Sequence, residues 1–141
     1  MSLEKFKKMI EDRENLRAKK NAKKKHKFGA SKTVHAGFSF ASKLEAAVYN
    51  ILHLQKLAGE IREIQVQHSI YMTKANIQYI ADFKCIKSDG SHFYVESKGH
   101  ECAVWRIKRR LFKYYGDSYL QIWKGSHTNP YLHETVVANE E

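Results

Sequence analysis

Residues 77–86 restrict the fold of this chain more than any other stretch, because one parity there is apolar throughout while the other holds the polar residues. Ile77, Tyr79, Ala81, Phe83 and Cys85 share one parity, and Ile80, Asp82, Lys84 and Ile86 the other, which is the period of a strand and not of a helix. Ser88-Asp89-Gly90 follows as a turn signal, and His92 to Lys98 reads as a second strand ended by Gly99. An antiparallel hairpin is therefore expected, and its loop length decides which residues face each other. A two-residue Asp89-Gly90 turn pairs Ser88 with Ser91 and sets Asp82 opposite Ser97. A three-residue loop, with Gly90 in the left-handed position of a bulge, pairs Lys87 with Ser91 and sets Asp82 opposite Glu96.

Around this hairpin the remaining patterns order themselves. Leu44, Ala47, Val48, Ile51, Leu54 and Leu57 recur at helical spacing between Ser42 and Ala58, with Gly59 as a stop. An extended segment is expected over Ile61 to Met72. Helical spacing returns at Val104, Ile107, Leu111 and Tyr114, up to Gly116, with Trp105, Phe112 and Tyr115 as a second stripe that reads as core or dimer interface rather than as base-stacking rings. Tyr119 to Trp123 reads as a last strand, before an irregular tail holding the single proline, Pro130. The second helix spans a distance suited to a right-handed crossover between parallel strands. The expectation is an α/β fold of order αβββαβ, a small mixed sheet flanked by helices.

Charge divides the 141 residues into blocks. Residues 1–35 carry 12 Lys and Arg against 4 Asp and Glu, and read as a basic, partly helical or disordered arm. Residues 36–101 hold seven of each sign, residues 102–124 six basic against one acidic, and the tail 125–141 three Glu, within a net charge of +10. Residues 36–124 form the expected domain. Two basic flanks around a neutral centre suit a polyanion, whose phosphates release counterions when neutralised. Lys23, Lys24, Lys25 and Lys27 on the arm, Lys43 at the first helix, and Arg106, Arg109, Arg110 and Lys113 on the second are the candidate phosphate contacts. No apolar run approaches the ~18 residues of a membrane span, and the charged N-terminus lacks the apolar stretch of a signal peptide, so a cytoplasmic chain is expected. Cys85 and Cys102 are too few for a disulfide framework and lack zinc spacing.

The neutral centre contains the chemistry. Glu96 and Lys98 stand two apart on one strand and so point to one face. If Asp82 lies opposite Glu96, the two carboxylates repel unless a cation sits between them. Hard oxygen donors with open positions suit Mg²⁺ or Mn²⁺. Such an ion lowers the pKa of bound water and clamps a phosphodiester oxygen, while Lys98 orients that water or stabilises developing charge. The competing reading is a surface network in which Lys84 and Lys98 neutralise the acids. Glu45 also has two readings, since Ser42-Lys43-Leu44-Glu45 is a capping box as well as a source of a third carboxylate.

Tyr79-Ile80-Ala81-Asp82-Phe83 followed by Val95-Glu96-Ser97-Lys98-Gly99 resembles the split D…(D/E)-x-K signature of the PD-(D/E)XK nuclease superfamily, and Phe40 to Glu45 resembles the helix-borne Glu of several of its branches. The nearest likenesses are small phage endonucleases and phage Holliday-junction-resolving endonucleases, over roughly residues 38–124. Ala81 stands where the superfamily name has Pro. The resemblance implies a restriction-endonuclease-like core and a divalent-metal-dependent endodeoxyribonuclease acting on branched or nicked DNA. It makes Asp82 and Glu96 metal ligands, with Glu45 as a third and the Ser97 carbonyl as a further one, and Lys98 the water-positioning group. It implies DNA as partner and no organic cofactor. Cleavage of both strands or of a junction would favour a twofold homodimer. The alternative is a non-catalytic nucleic-acid-binding module on the same fold.

Overall fold

The computed structural model describes residues 2–22, 33–35 and 37–139. Helix α1 (Leu3–Ala22) leads to a short antiparallel pair, β1 (Thr33–His35) and β2 (Phe38–Phe40). Helix α2 (Lys43–Leu57) precedes three strands, β3 (Ile61–Met72), β4 (Ile77–Lys87) and β5 (His92–Ser97). Helix α3 (Ala103–Tyr115) and strands β6 (Tyr119–Ser126) and β7 (Asn129–Val137) complete the chain. The five long strands form one mixed sheet in the order β3-β4-β5-β6-β7. Only β5 and β6 run parallel, joined through α3. The expected αβββαβ order is present from α2 to β6. Beyond it, the tail expected to be irregular supplies β7, antiparallel to β6 along its whole length. Pro130 is accommodated because β7 is an edge strand. No described helix is long and apolar enough to cross a membrane.

The hairpin adopts the three-residue loop. Lys87 N–H donates to Ser91 O at 2.7 Å, Gly90 N–H donates to Lys87 O at 3.0 Å, and Gly90 takes φ +90°. The resulting ladder pairs Ile86 with His92 and ends at Phe83 with Val95. The next position of that register holds Asp82 and Glu96.

The sheet has two buried faces. On β5, Phe93 and Val95 pack with the α2 residues Leu44, Val48 and Leu52, while Tyr94 packs with Trp105 and Phe112 of α3. Because successive strand residues point to opposite sides, α2 and α3 cover opposite faces. Each helix leaves part of its expected apolar stripe exposed, while the α3 rings expected in a core or dimer interface supply the core. On α3, Trp105 and Phe112 are buried while Val104, Ile107 and Tyr114 are 59%, 57% and 72% exposed. On α2, Tyr49 and Leu52 join the core while Leu54 and Leu57 face outward. Where two stripes compete on α3, the large rings win, since each buries ~150–250 Å².

The even alternation of residues 77–86 also breaks. Tyr79 and Ala81 belong to the α3 side, whereas Phe83 and Cys85 belong to the α2 side. The neighbouring strand β3 changes side with it: Ile64 and Val66 pack against the α2 cluster, Ile70 and Met72 within the α3 cluster. Gln67 lies between, with φ +55°, in a stretch where Val66 pairs with Phe83 and His68 with Ala81. The sheet thus changes its inward face at Gln67 and Asp82, and the left-handed backbone at Gln67 absorbs the rotation. Gln67→Val, nominally a better strand former, is expected to destabilise the protein by about 1–2 kcal/mol, because a β-branched side chain is disfavoured at positive φ. Gln67→Gly should be close to neutral. Urea unfolding midpoints of the two variants give the comparison.

Candidate metal and nucleic-acid site

Asp82 stands where the β4–β5 ladder ends. Its Oδ2 accepts from Ser97 N–H at 2.8 Å and from Ser97 Oγ at 2.9 Å, so a carboxylate replaces the next backbone rung. Glu96, 5% exposed, projects from β5 into the α3 side of the sheet. Its Oε2 accepts from the Tyr79 hydroxyl at 2.7 Å, and its Oε1 lies 3.6 Å from Lys98 Nζ. Lys98 follows β5 and is anchored by its own N–H, which donates to Trp123 O at 2.8 Å. Its ammonium sits 4.9 Å from the centroid of the Trp105 ring, a cation–π contact that orients it.

Glu45 comes from α2 and is 2% exposed. Ser42 caps the helix by accepting from Glu45 N–H at 3.1 Å, an arrangement worth about 1 kcal/mol. The capping box is not closed: Glu45 Oε2 accepts from Ala41 N–H at 2.8 Å, one residue before the cap. Among the described residues, Glu45 Oε1 is buried with no hydrogen-bond partner. An unpartnered buried acceptor costs about 1–3 kcal/mol and calls for a reason.

The electrostatics join these groups. Burial, then the Asp82 charge, push Glu45 up to about 7 against the pull of the Ala41 amide. Glu96 is pushed up to about 8 by burial and then by Asp82, although Tyr79 and Lys98 favour its charged form. Asp82 is raised by burial despite the Ser97 bonds and the Lys98 charge. Tyr79 is held protonated by burial and by Glu96. Asp82 thus acts on both glutamates, and among the described residues Lys98 is the cation that favours the charged forms of Asp82 and Glu96.

These oxygens are hard donors, and the repulsion of Asp82 on both glutamates together with the unpartnered Glu45 Oε1 is an environment a divalent ion relieves, so the donor chemistry suits Mg²⁺ or Mn²⁺. Each carboxylate is nonetheless drawn to a different protein donor. Among the described residues no three His, Cys, Asp or Glu side chains group tightly enough to hold an ion as they stand. Ser97, expected to offer its carbonyl, donates its N–H and hydroxyl to Asp82.

Beside Glu96 and Lys98 opens a cleft of about 210 Å³, also lined by Tyr79, Cys102, Trp105 and Lys108. Lys43 is exposed at the first turn of α2. Arg106, Arg110 and Lys113 are exposed on α3, whereas Arg109 is half-buried and bonded to Glu134. Lys23, Lys24, Lys25 and Lys27 lie outside the described residues. Tyr79 and Trp105 were not among the expected site residues. The parity of Tyr79 places it away from Glu96 in a regular strand, and only the change of face at Asp82 brings it there.

No curated protein and no solved structure matches the chain. A family model matches residues 25–127, a span that includes Glu45, Asp82, Glu96 and Lys98 and most of the sheet. The chain thus belongs to the family described as a protein of unknown function, DUF1064.

Proposed function

We propose that this protein is a divalent-metal-dependent endodeoxyribonuclease of the PD-(D/E)XK kind, with Asp82, Glu96 and Glu45 as the ion's carboxylate ligands. The single observation that carries the reading is the field of Asp82 on both Glu45 and Glu96, with Lys98 close to Glu96 and, among the described residues, one buried Glu45 oxygen left unpartnered. Mg²⁺ or Mn²⁺ bound there would supply Lewis-acid polarisation of a phosphodiester oxygen and a water of lowered pKa. The protein's own groups supply the rest. Ser97 holds Asp82, and Tyr79 holds one oxygen of Glu96, so both acids enter the site with fixed orientation. Lys98, steered by the Trp105 ring and Glu96, presents a cation to the cleft, where it hydrogen-bonds the attacking water or the phosphoryl oxygen that gains charge. The exposed cations of α3 and Lys43 hold the DNA backbone, and a twofold dimer is the assembly that would address two strands.

A second reading has an observation of its own. Because each carboxylate already accepts from a protein donor, the same residues could be a structural network in a nucleic-acid-binding module. Titration calorimetry with Mn²⁺ separates the two, alongside cleavage of supercoiled plasmid and of a four-way junction in Mg²⁺. The nuclease reading expects a saturable Mn²⁺ site and nicked, linear or resolved products that EDTA abolishes. Absence of both, with salt-sensitive DNA binding intact, would establish the module instead.

A further inference from the structure

A second cleft, of about 350 Å³, lies between α3 and the β6–β7 hairpin. Four cations line it, Arg106, Arg109, Arg110 and Lys124, with His133 and two carboxylates. Both carboxylates are already engaged. Glu134 is bonded to Arg109, and Glu101 Oε1 lies 3.2 Å from Lys124 Nζ. These pairs fix two walls of the cleft, one to β7 and one to β6. Among the described residues neither Arg106 nor Arg110 enters an ion pair, although Arg106 is near enough to help hold the Glu101 carboxyl below its ordinary range, after the larger effect of Lys124. The two arginines stand one turn apart on one helix face, where like charges repel. Two guanidiniums outside any ion pair among the described residues, lining a prebuilt cleft, suit an anion with several oxygens in fork geometry, and phosphate is that anion.

We propose that this cleft is a phosphate-binding site, with Arg106 and Arg110 as the groups that grip the phosphate. The position adds a role, which rests on the nuclease reading above. Val104, Trp105 and Lys108 line the cleft beside Lys98, while Arg106, Arg109 and Arg110 line this one. The first half of α3 therefore parts the two clefts, and Glu101 stands only three residues after Lys98. A nucleic-acid strand held at Lys98 would lay a neighbouring phosphate here, so the site would set the register of the strand.

The test uses the full chain in EDTA, so that no cleavage intervenes. Inorganic phosphate is titrated by NMR, and a 30-base-pair duplex by fluorescence anisotropy over a salt series. The double variant Arg106→Ala/Arg110→Ala is compared with wild type and with Lys7→Ala/Lys8→Ala, which removes two exposed charges from α1. Expected are saturable phosphate shifts around His133 and Arg109 that the arginine variant loses and the α1 variant keeps. For the duplex, the arginine variant should bind roughly ten- to hundredfold more weakly, with the salt slope reduced by about 2. Phosphate shifts unchanged in the arginine variant would overturn the site. Phosphate shifts without duplex binding would support the site but make free phosphate its source. Failure of the nuclease reading is separate: a wild type that binds duplex through this cleft and cuts nothing in Mg²⁺.

Discussion

Lys98→Ala is expected to slow plasmid cleavage by about 10²–10³-fold while leaving the Mn²⁺ site occupied. Asp82→Asn is expected to abolish both. The difference follows from what each side chain touches. Lys98 faces the cleft, with its ammonium against Glu96 Oε1 and the Trp105 ring, so its loss removes one positive group aimed at the reacting phosphate, and single electrostatic groups of that sort are worth that much in rate. Asp82 is the charge to which both other carboxylates respond. Asparagine keeps an acceptor for Ser97, so the strand end stays formed and the lost function is not lost folding. Calorimetry with Mn²⁺ and a nicking time course on the same preparations read the two effects apart. Both variants cutting at wild-type rate would end the nuclease reading.

The metal-free protein is expected to lose stability as pH rises from about 5 to about 8. Glu96 and Glu45 have folded-state values raised to about 8 and about 7, above the ordinary 4.5. Through that window the folded state holds protons that the unfolded chain has released, so raising the pH favours unfolding, and the loss levels off above the folded values. For a buried pair sharing the field of Asp82 the loss should reach a few kcal/mol. Below the window the trend reverses, because Asp89, held low by the Ser91 hydroxyl and amide, loses its bonds when protonated. Stability should therefore peak in mildly acidic buffer. Glu96→Gln retains an acceptor for the Tyr79 hydroxyl and removes the charge, so its melting temperature should change much less between pH 5 and 8. Mn²⁺ should restore wild-type stability more at pH 8 than at pH 6, since the ion competes with protons for the same oxygens. A wild-type melting temperature independent of pH across this range would mean that the acids are not in one field.

The two predictions depend on parts of the molecule that differ in how far they could be read from the sequence. The hairpin register was open between two loops, and the choice turned on local sterics. Gly90 enters the left-handed region at little cost, and Asp89 accepts from Ser91 to close the turn, so the three-residue loop wins within four residues of chain. The Val104 stripe of α3 and the C-terminal end of the α2 stripe face outward, because helical spacing marks which residues share a face but not which face meets the sheet. On α3 the rings of Trp105 and Phe112 meet Tyr79 and Tyr94, partners distant in sequence, and that contact turns the helix. Strand β7 was missed because its partner β6 completes the pairing, and Pro130 argues against a strand anywhere but an edge.

By itself, the sequence determined the element order from α2 to β6, the confinement of the acids to a neutral block, and the candidate set Glu45, Asp82, Glu96 and Lys98. These follow from periodicity, turn sterics and charge count, all of which act over a few neighbouring residues. Only the tertiary structure decided that the sheet changes face at Gln67 and Asp82, that Tyr79 thereby reaches Glu96, and that Glu45 keeps one buried oxygen unpartnered among the described residues. It alone decided that Trp105 holds Lys98 and that Arg106 and Arg110 line a cleft built partly by β7. Those are products of which large side chains find one another across the sheet, and the burial that raises the pKa of an acid exists only once they have.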